Sequence, residues 1–191
     1  SGKVTPEEMQ GVPHYLIDVA QPNDFFSLVE FQRQAYKAID GICARGFKAF
    51  MVGGTGLYVN SVVDGYNITE EAPDPGLREE VAGKSLDELI AILKEKYPEA
   101  LEKTDLKNKR RVERAVERAL MGRTEERVNT PRYETLTIGV TWPRDVLYER
   151  IRERLDRRLS QGMIDEVVSL RKNGATDAFL YGLGLEYRYI L

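Results

Sequence analysis

Two groups of arginines and one glycine-rich turn are the residues of this sequence best suited to chemistry, and all three suit phosphate. Lys107, Arg110, Arg111, Arg114 and Arg118 recur at helical spacing, with Val112, Ala115, Val116, Ala119 and Leu120 roughly opposite them. From Lys107 to Arg127 there are eight basic residues and four acidic ones, inside a chain of formal net charge −3. Guanidiniums in a row match phosphate oxygens, so this stripe is a candidate nucleic-acid contact. A plain solvated face would show the same pattern. Arg150, Arg154 and Arg157 flank a second apolar line, Leu147, Ile151, Leu155 and Leu159. They could grip a small anionic ligand or pair with Glu149, Glu153 and Asp156, and the residues alone favour the pairing.

The turn reads Met51-Val52-Gly53-Gly54-Thr55-Gly56-Leu57-Tyr58. Apolar residues lead in, and Leu57, Tyr58, Ser61 and Val62 follow at helical spacing, which predicts a strand, a tight turn and a helix. Glycines let backbone approach a ligand, and a helix start offers unpaired N–H groups to an anion. Such a turn also serves geometry alone. His14 is the single histidine, a structural residue or a ligand contact beside a short strand. Cys43, the single cysteine, falls in an apolar helical pattern and is expected in the core rather than as a nucleophile.

The elements that must position these residues follow from periodicity. Residues 13–19 read as a short buried strand. Ser27-Leu28-Val29-Glu30 is a capping-box pattern, and Phe31, Ala35, Ile39 and Ile42 share one face, so a helix is expected over 27–45 with Gly46 as its stop. Residues 47–52 form the central strand. Strand, helix, strand and helix in that order predict an α/β fold with a parallel sheet and right-handed crossovers. From Asn67 the character changes. Glu70, Glu71, Pro73, Asp74, Pro75 and Gly76 make an irregular acidic link, and Ser85-Leu86-Asp87-Glu88 opens a capped helix. No strand pattern occurs between 67 and 130, a block that reads as a helical insertion. Residues 135–141 return to a β pattern, Pro143 suits the first turn of a helix, and 163–172 forms another helix between Gly162 and Gly174. The last segment, 181–191, is short and aromatic.

Composition sets the outer limits. The chain has 191 residues, 42% of them hydrophobic and 31% charged, which suits a soluble globular protein with one sizeable core or a core and an appendage. One cysteine allows no internal disulfide and fits a reducing cytoplasm. No apolar run reaches the ~20 residues of a membrane span, so no membrane partner is expected. Ser1-Gly2-Lys3 at one end and the aromatic segment at the other make the sequence read as a fragment.

Taken together, the motifs resemble the tRNA dimethylallyltransferase (tRNA isopentenyltransferase) family. Pro-His-x-Leu-Ile-Asp stands at Pro13 to Asp18, and Val-Gly-Gly-Thr-Gly-Leu-Tyr at Val52 to Tyr58. Asp-Pro-x-x-Arg is at Asp74, Pro75 and Arg78, and Arg-x-x-Arg-Ala-x-Glu at Arg111, Arg114, Ala115 and Glu117. Arg150, Ile151, Arg154, Leu159, Gly162 and Glu166 continue the series in family order, and Gly184-Leu185-Glu186-Tyr187-Arg188 approximates the last motif.

The resemblance implies a P-loop NTPase-like parallel sheet core with a helical insertion domain: residues 1–66 as partial core, 67–130 as the tRNA-binding insertion, 131–191 as the return to the core with C-terminal helices. It implies transfer of a dimethylallyl group from dimethylallyl diphosphate to the N6 amine of the adenosine next to the anticodon, with the tRNA meeting the diphosphate in a channel through the core. By position, Thr55, Arg78, Arg110, Arg111 and Arg114 would contact tRNA at its anticodon stem-loop, and Arg150, Arg154 and His14 would face the diphosphate. It also implies Mg2+ as cofactor and a monomer in the cytoplasm. The phosphate loop Gly-x-x-x-x-Gly-Lys-Ser/Thr and the Asp-Ser motif are not in these 191 residues. The resemblance therefore puts the lysine, the magnesium-binding hydroxyl and the general base outside them, and the stretch alone is expected to be inactive. Two other readings stay open: a transferase acting on free adenine nucleotides, which needs no stem-loop grip, and a non-catalytic RNA-binding module.

Overall fold

The computed structural model describes residues 2–68, 74–122 and 128–191. The acidic residues Glu70 and Glu71, with Pro73, and the basic residues Arg123 and Arg127 lie outside the described residues. The chain divides into two compact units, one made of Ser1–Gly65 with Pro131–Leu191, the other of Tyr66–Thr130.

The unit Tyr66–Thr130 is helical and closes its own core. Helix α4 (Pro75–Ala82) starts on Asp74, whose carboxylate accepts from the N–H groups of Gly76 and Leu77, so Pro75 and Gly76 open a helix rather than extend a loop. Helix α5 (Leu86–Lys96) starts on a complete capping box between Ser85 and Glu88. After the short α6 (Pro98–Glu102), α7 (Lys109–Leu120) is capped by Asn108, which accepts from the Arg111 N–H. Val81, Leu89, Leu93, Val112, Val116 and Ala119 form the buried cluster among them. Burying each such side chain contributes roughly 1.5–3 kcal/mol, which is what holds these short helices together. Lys109 also donates to the Ala82 carbonyl, satisfying the end of α4.

In the other unit, α1 (Pro6–Met9) precedes α2 (Leu28–Ala44), which is capped by Ser27 and ends at Gly46. Gly46 has φ +80°, and Phe47 N–H donates to the Ile42 carbonyl while Gly46 N–H donates to that of Cys43, a Schellman closure. Only half the Ser27 capping box forms, because Glu30 turns to Arg33 and Gln34 instead. Helix α3 (Gly56–Val63) packs on α2 through Ala35 and Val62, a stacked Phe31–Tyr58 pair at 4.5 Å, and the buried Gln32, which donates to the Ser61 carbonyl at 2.7 Å. Cys43 is exposed, not in the core, because that packing is set at Gln32 and Ala35, about two to three turns before it.

Helices α8 (Arg144–Ser160), α9 (Met163–Lys172), α10 (Asp177–Leu183) and α11 (Leu185–Ile190) complete the unit, and Val167, Ala175 and Leu180 form a buried cluster among the last three. Tyr187 donates to Glu166 at 2.6 Å across α11 and α9. Two ties join distant segments. Asn23, in the left-handed region at φ 71°, donates to the Gly174 carbonyl and accepts from the Thr176 N–H. Asp40 on α2 takes both Arg132 and the Tyr133 hydroxyl.

The expected α/β fold with a P-loop NTPase-like parallel sheet is not formed: among the described residues there is no strand. Residues 13–19 bend, with Leu16 and Asp18 at φ 60° and 57°, which a strand cannot accommodate. Residues 47–52 and 136–140 have the apolar content of strands but pair with no segment among the described residues, and a strand exists only through its ladder. Their side chains stand open instead, with Phe50 at 87% exposed and Val140 at 83%.

Candidate nucleic-acid interface and anion-facing helix

Helix α7 places its cations by simple periodicity. Val112, Val116 and Ala119 face the core, Ala115 packs beside them, and Leu120, expected on the same side, is 41% exposed at the helix end. The side away from the core carries Arg110, Arg111, Arg114 and Arg118, while Lys109 stands near the core side, where it reaches the Ala82 carbonyl of α4. Most have a carboxylate at hand: Arg111 with Asp105 at 3.3 Å, Lys109 with Glu113 at 3.5 Å, and Arg114 with Glu117. Arg110 and Arg118 are exposed and have no ion-pair partner among the described residues.

Arg78 reaches this group from α4. Its Nε lies 3.6 Å from the Glu117 carboxylate, so Arg78 and Arg114 flank one acidic side chain. Burial pushes the Arg78 guanidinium below its ordinary value, Arg114 and, more weakly, Arg110 add to the push, and Glu117 opposes it. Three of the sequence-predicted tRNA residues, Arg78, Arg110 and Arg114, are thus near enough to act on one another electrostatically. Arg111 stands slightly apart with Asp105.

In the other unit the predicted residues are not joined. Thr55 is the N-cap of α3 and exposed, and its side chain makes no capping bond. Gly53, Gly54 and Gly56 have ordinary φ, and a Cβ on any of them would meet nothing within 4 Å. Neither backbone strain nor packing among the described residues requires glycine there. His14 is exposed, with Nδ1 2.8 Å from the Val12 carbonyl. Arg150 and Arg154 are exposed on α8. No hydrogen bond or ion pair among the described residues links Thr55, His14, Arg150 and Arg154.

The ion pairs that the sequence favours on α8 do not form: among the described residues Arg150, Arg154 and Arg157 have no carboxylate partner. Exposed pairs of this kind contribute at most ~1 kcal/mol, too little to hold the side chains together. Arg150 instead lies over the Trp142 ring, 4.6 Å from its centroid. Sequence reasoning misses that arrangement, although Trp142 is the single tryptophan and stands just before α8. The apolar line of α8 is half-open as well, with Leu147, Ile151, Leu155 and Leu159 each at 40–45% exposed.

The whole chain, residues 1–191, matches the family model described as IPP transferase. The chain belongs to that family. It is 44% identical over 183 residues to tRNA dimethylallyltransferase 2 of Citrifermentans bemidjiense, covering 96% of this chain and 60% of that relative. It is 37% identical over 187 residues to tRNA dimethylallyltransferase of Bacillus mycoides, covering 93% and 59%. Among solved structures it is similar to the full-length tRNA isopentenylpyrophosphate transferase of Bacillus halodurans, with a TM-score of 0.60 and 38% identity over 92% of this chain and 57% of that one. The chain therefore spans about three fifths of the length of its curated relatives.

The resemblance puts the Mg2+ ligands mostly outside these residues. Among the described residues no three His, Cys, Asp or Glu side chains stand together to hold a metal ion, so no step of the reaction is assigned to one. No helix among them is long and apolar enough to cross a membrane.

Proposed function

We propose that the protein transfers a dimethylallyl group from dimethylallyl diphosphate to the N6 amine of the adenosine beside a tRNA anticodon. The family match over the whole chain and relatives named for that activity support the reading. The observation that carries this chain's own part is the α7 ridge of Arg110, Arg111, Arg114 and Arg118 with Arg78 beside it: five arginines on one helical unit, suited to a folded phosphate backbone rather than a free nucleotide. In the proposed step N6 bonds to C1 of the allyl group, the C1–O bond breaks, diphosphate leaves with the electron pair, and N6 gives up one proton to the general base that the resemblance places outside these residues. Arg150 and Arg154 are assigned to the departing diphosphate, where negative charge grows and fixed cations are most effective. His14 is assigned to the same side. Thr55, Arg78, Arg110, Arg111 and Arg114 are assigned to tRNA, with the anticodon stem-loop on the helical unit. The target base has to leave its stack to be reached. The proposed setting is the cytoplasm, where such a substrate is met.

The test is a pair of titrations of the chain and its variants, one with a tRNA transcript and one with dimethylallyl diphosphate. Replacing Arg111 and Arg114 together by alanine should weaken tRNA binding and flatten its salt dependence by about 0.9 of a slope unit for each phosphate no longer neutralised. Diphosphate affinity should hardly move. Arg150→Ala should show the reverse. Equal losses for both ligands in both variants would defeat the division of labour.

A further inference from the structure

We propose that Glu117 is a positioning residue that holds Arg78 of α4 and Arg114 of α7 side by side, so that the two guanidiniums meet nucleic-acid phosphate as one preset pair. The proposal rests on the reading that this face contacts tRNA. Its geometric basis is that one carboxylate oxygen, Glu117 Oε2, serves both arginines: Arg114 Nη1 donates to it, and Arg78 Nε lies 3.6 Å away. The Glu117 side chain is only 12% exposed, against 30% for Arg78 and 41% for Arg114. The acid is therefore the inner member and the cations are the outer ones.

That arrangement does three things. It neutralises part of the repulsion between two cations brought together from separate helices, which would otherwise drive them apart in a partly dry site. It uses few of the Arg114 N–H donors: a guanidinium has five, and Arg114 gives Nη1–H to Glu117. It also fixes two long side chains before the nucleic acid arrives, so less freedom is lost on binding. A surface carboxylate near arginines would by itself weaken attraction for an anion. A partly buried one that sets their direction strengthens it. The two roles have opposite signs.

The opposite signs make the experiment decisive. Binding of an unmodified tRNA transcript to the full chain is measured at fixed salt for Glu117→Gln, Glu117→Asp, Arg78→Ala, Arg114→Ala, and Glu117→Gln combined with Arg114→Ala. Charge alone predicts tighter binding for Glu117→Gln, since a negative charge is removed. Positioning predicts weaker binding by about tenfold, the loss expected when a hydrogen bond to a charged group disappears. Glu117→Asp keeps the net charge but withdraws the carboxylate by one methylene, so any loss it shows reads geometry alone. In the Arg114→Ala background the effect of Glu117→Gln should shrink, because there is then only one guanidinium to place. Thermal melting separates this from simple loosening of α4 on α7: a variant that melts at the wild-type temperature and still binds poorly supports positioning. Unchanged or tighter binding by Glu117→Gln, or wild-type affinity in Glu117→Asp, overturns the inference. Should neither Arg78→Ala nor Arg114→Ala weaken binding, the tRNA reading of this face fails first and takes the inference with it.

Discussion

The unit Tyr66–Thr130 and the unit formed by the rest of the chain solve the burial of their apolar residues differently. In the first, Val81, Leu89, Leu93, Val112 and Val116 are all at 0% exposure. In the second, Phe50, Val52, Leu136 and Val140 stand at 83–93%. The contrast follows from the kind of element involved. An amphipathic helix completes its own hydrogen bonds and needs only a neighbour for one stripe, and α4, α5 and α7 find each other within a few dozen residues. An extended segment completes neither its backbone bonds nor its faces without flanking chain. Equal hydrophobicity therefore leads to a dry core in one unit and to open apolar segments in the other.

The largest effect should come from testing that contrast directly. Leu89→Ala removes a fully buried side chain and is expected to lower unfolding free energy by about 2–5 kcal/mol. Ile138→Ala, at a residue 77% exposed, should stay within about 0.5 kcal/mol. Urea unfolding of the two variants checks both, and similar losses would erase the difference between the units. A middling effect is expected at the packed corner of the second unit. Gln32→Ala leaves the buried Ser61 carbonyl without its donor and should cost about 1–3 kcal/mol. Hydrogen exchange should show that loss confined to α2 and α3; protection lost also over 163–191 would mean the unit is more unified than its separate clusters suggest.

The smallest effect concerns pH. Burial and the Glu166 carboxylate raise the Tyr187 hydroxyl from its ordinary 10.0 to about 12. The folded state thus holds that proton more tightly than the unfolded one. Its contribution is fully present below pH 10 and is lost as pH rises towards 12. Tyr187→Phe should flatten the fall of melting temperature in that window while leaving it unchanged at neutral pH apart from a constant offset. A parallel pH profile for variant and wild type would remove the tyrosine from the account.

The helical parts were legible from sequence because their signals are local. Ser27, Ser85 and Gly46 mark α2 and α5 within a few residues of their ends, and the α7 periodicity names its buried side correctly at Val112, Val116 and Ala119. The strands were not, since apolar alternation states what a segment could bury and not whether a partner lies alongside. Asp74 as a cap, which turns Pro75 into a helix start, was hidden by the density of acids and prolines around it. At the candidate site, the arginines themselves could be read from residue type and spacing. Their neighbours could not: Glu117 lies at the margin of the stripe on a helical wheel, and only the packing of α4 on α7 brings Arg78 to its other side. Trp142 under Arg150 is similarly a product of where the chain turns into α8.

Asn23 binds a residue 153 positions further along, and that has a consequence for the order of events on the ribosome. Asn23 emerges long before Thr176 exists, so its anchoring bonds have to wait until the residue 153 positions further along has been synthesised. The interposed stretch, which closes a core of its own, can settle while translation continues.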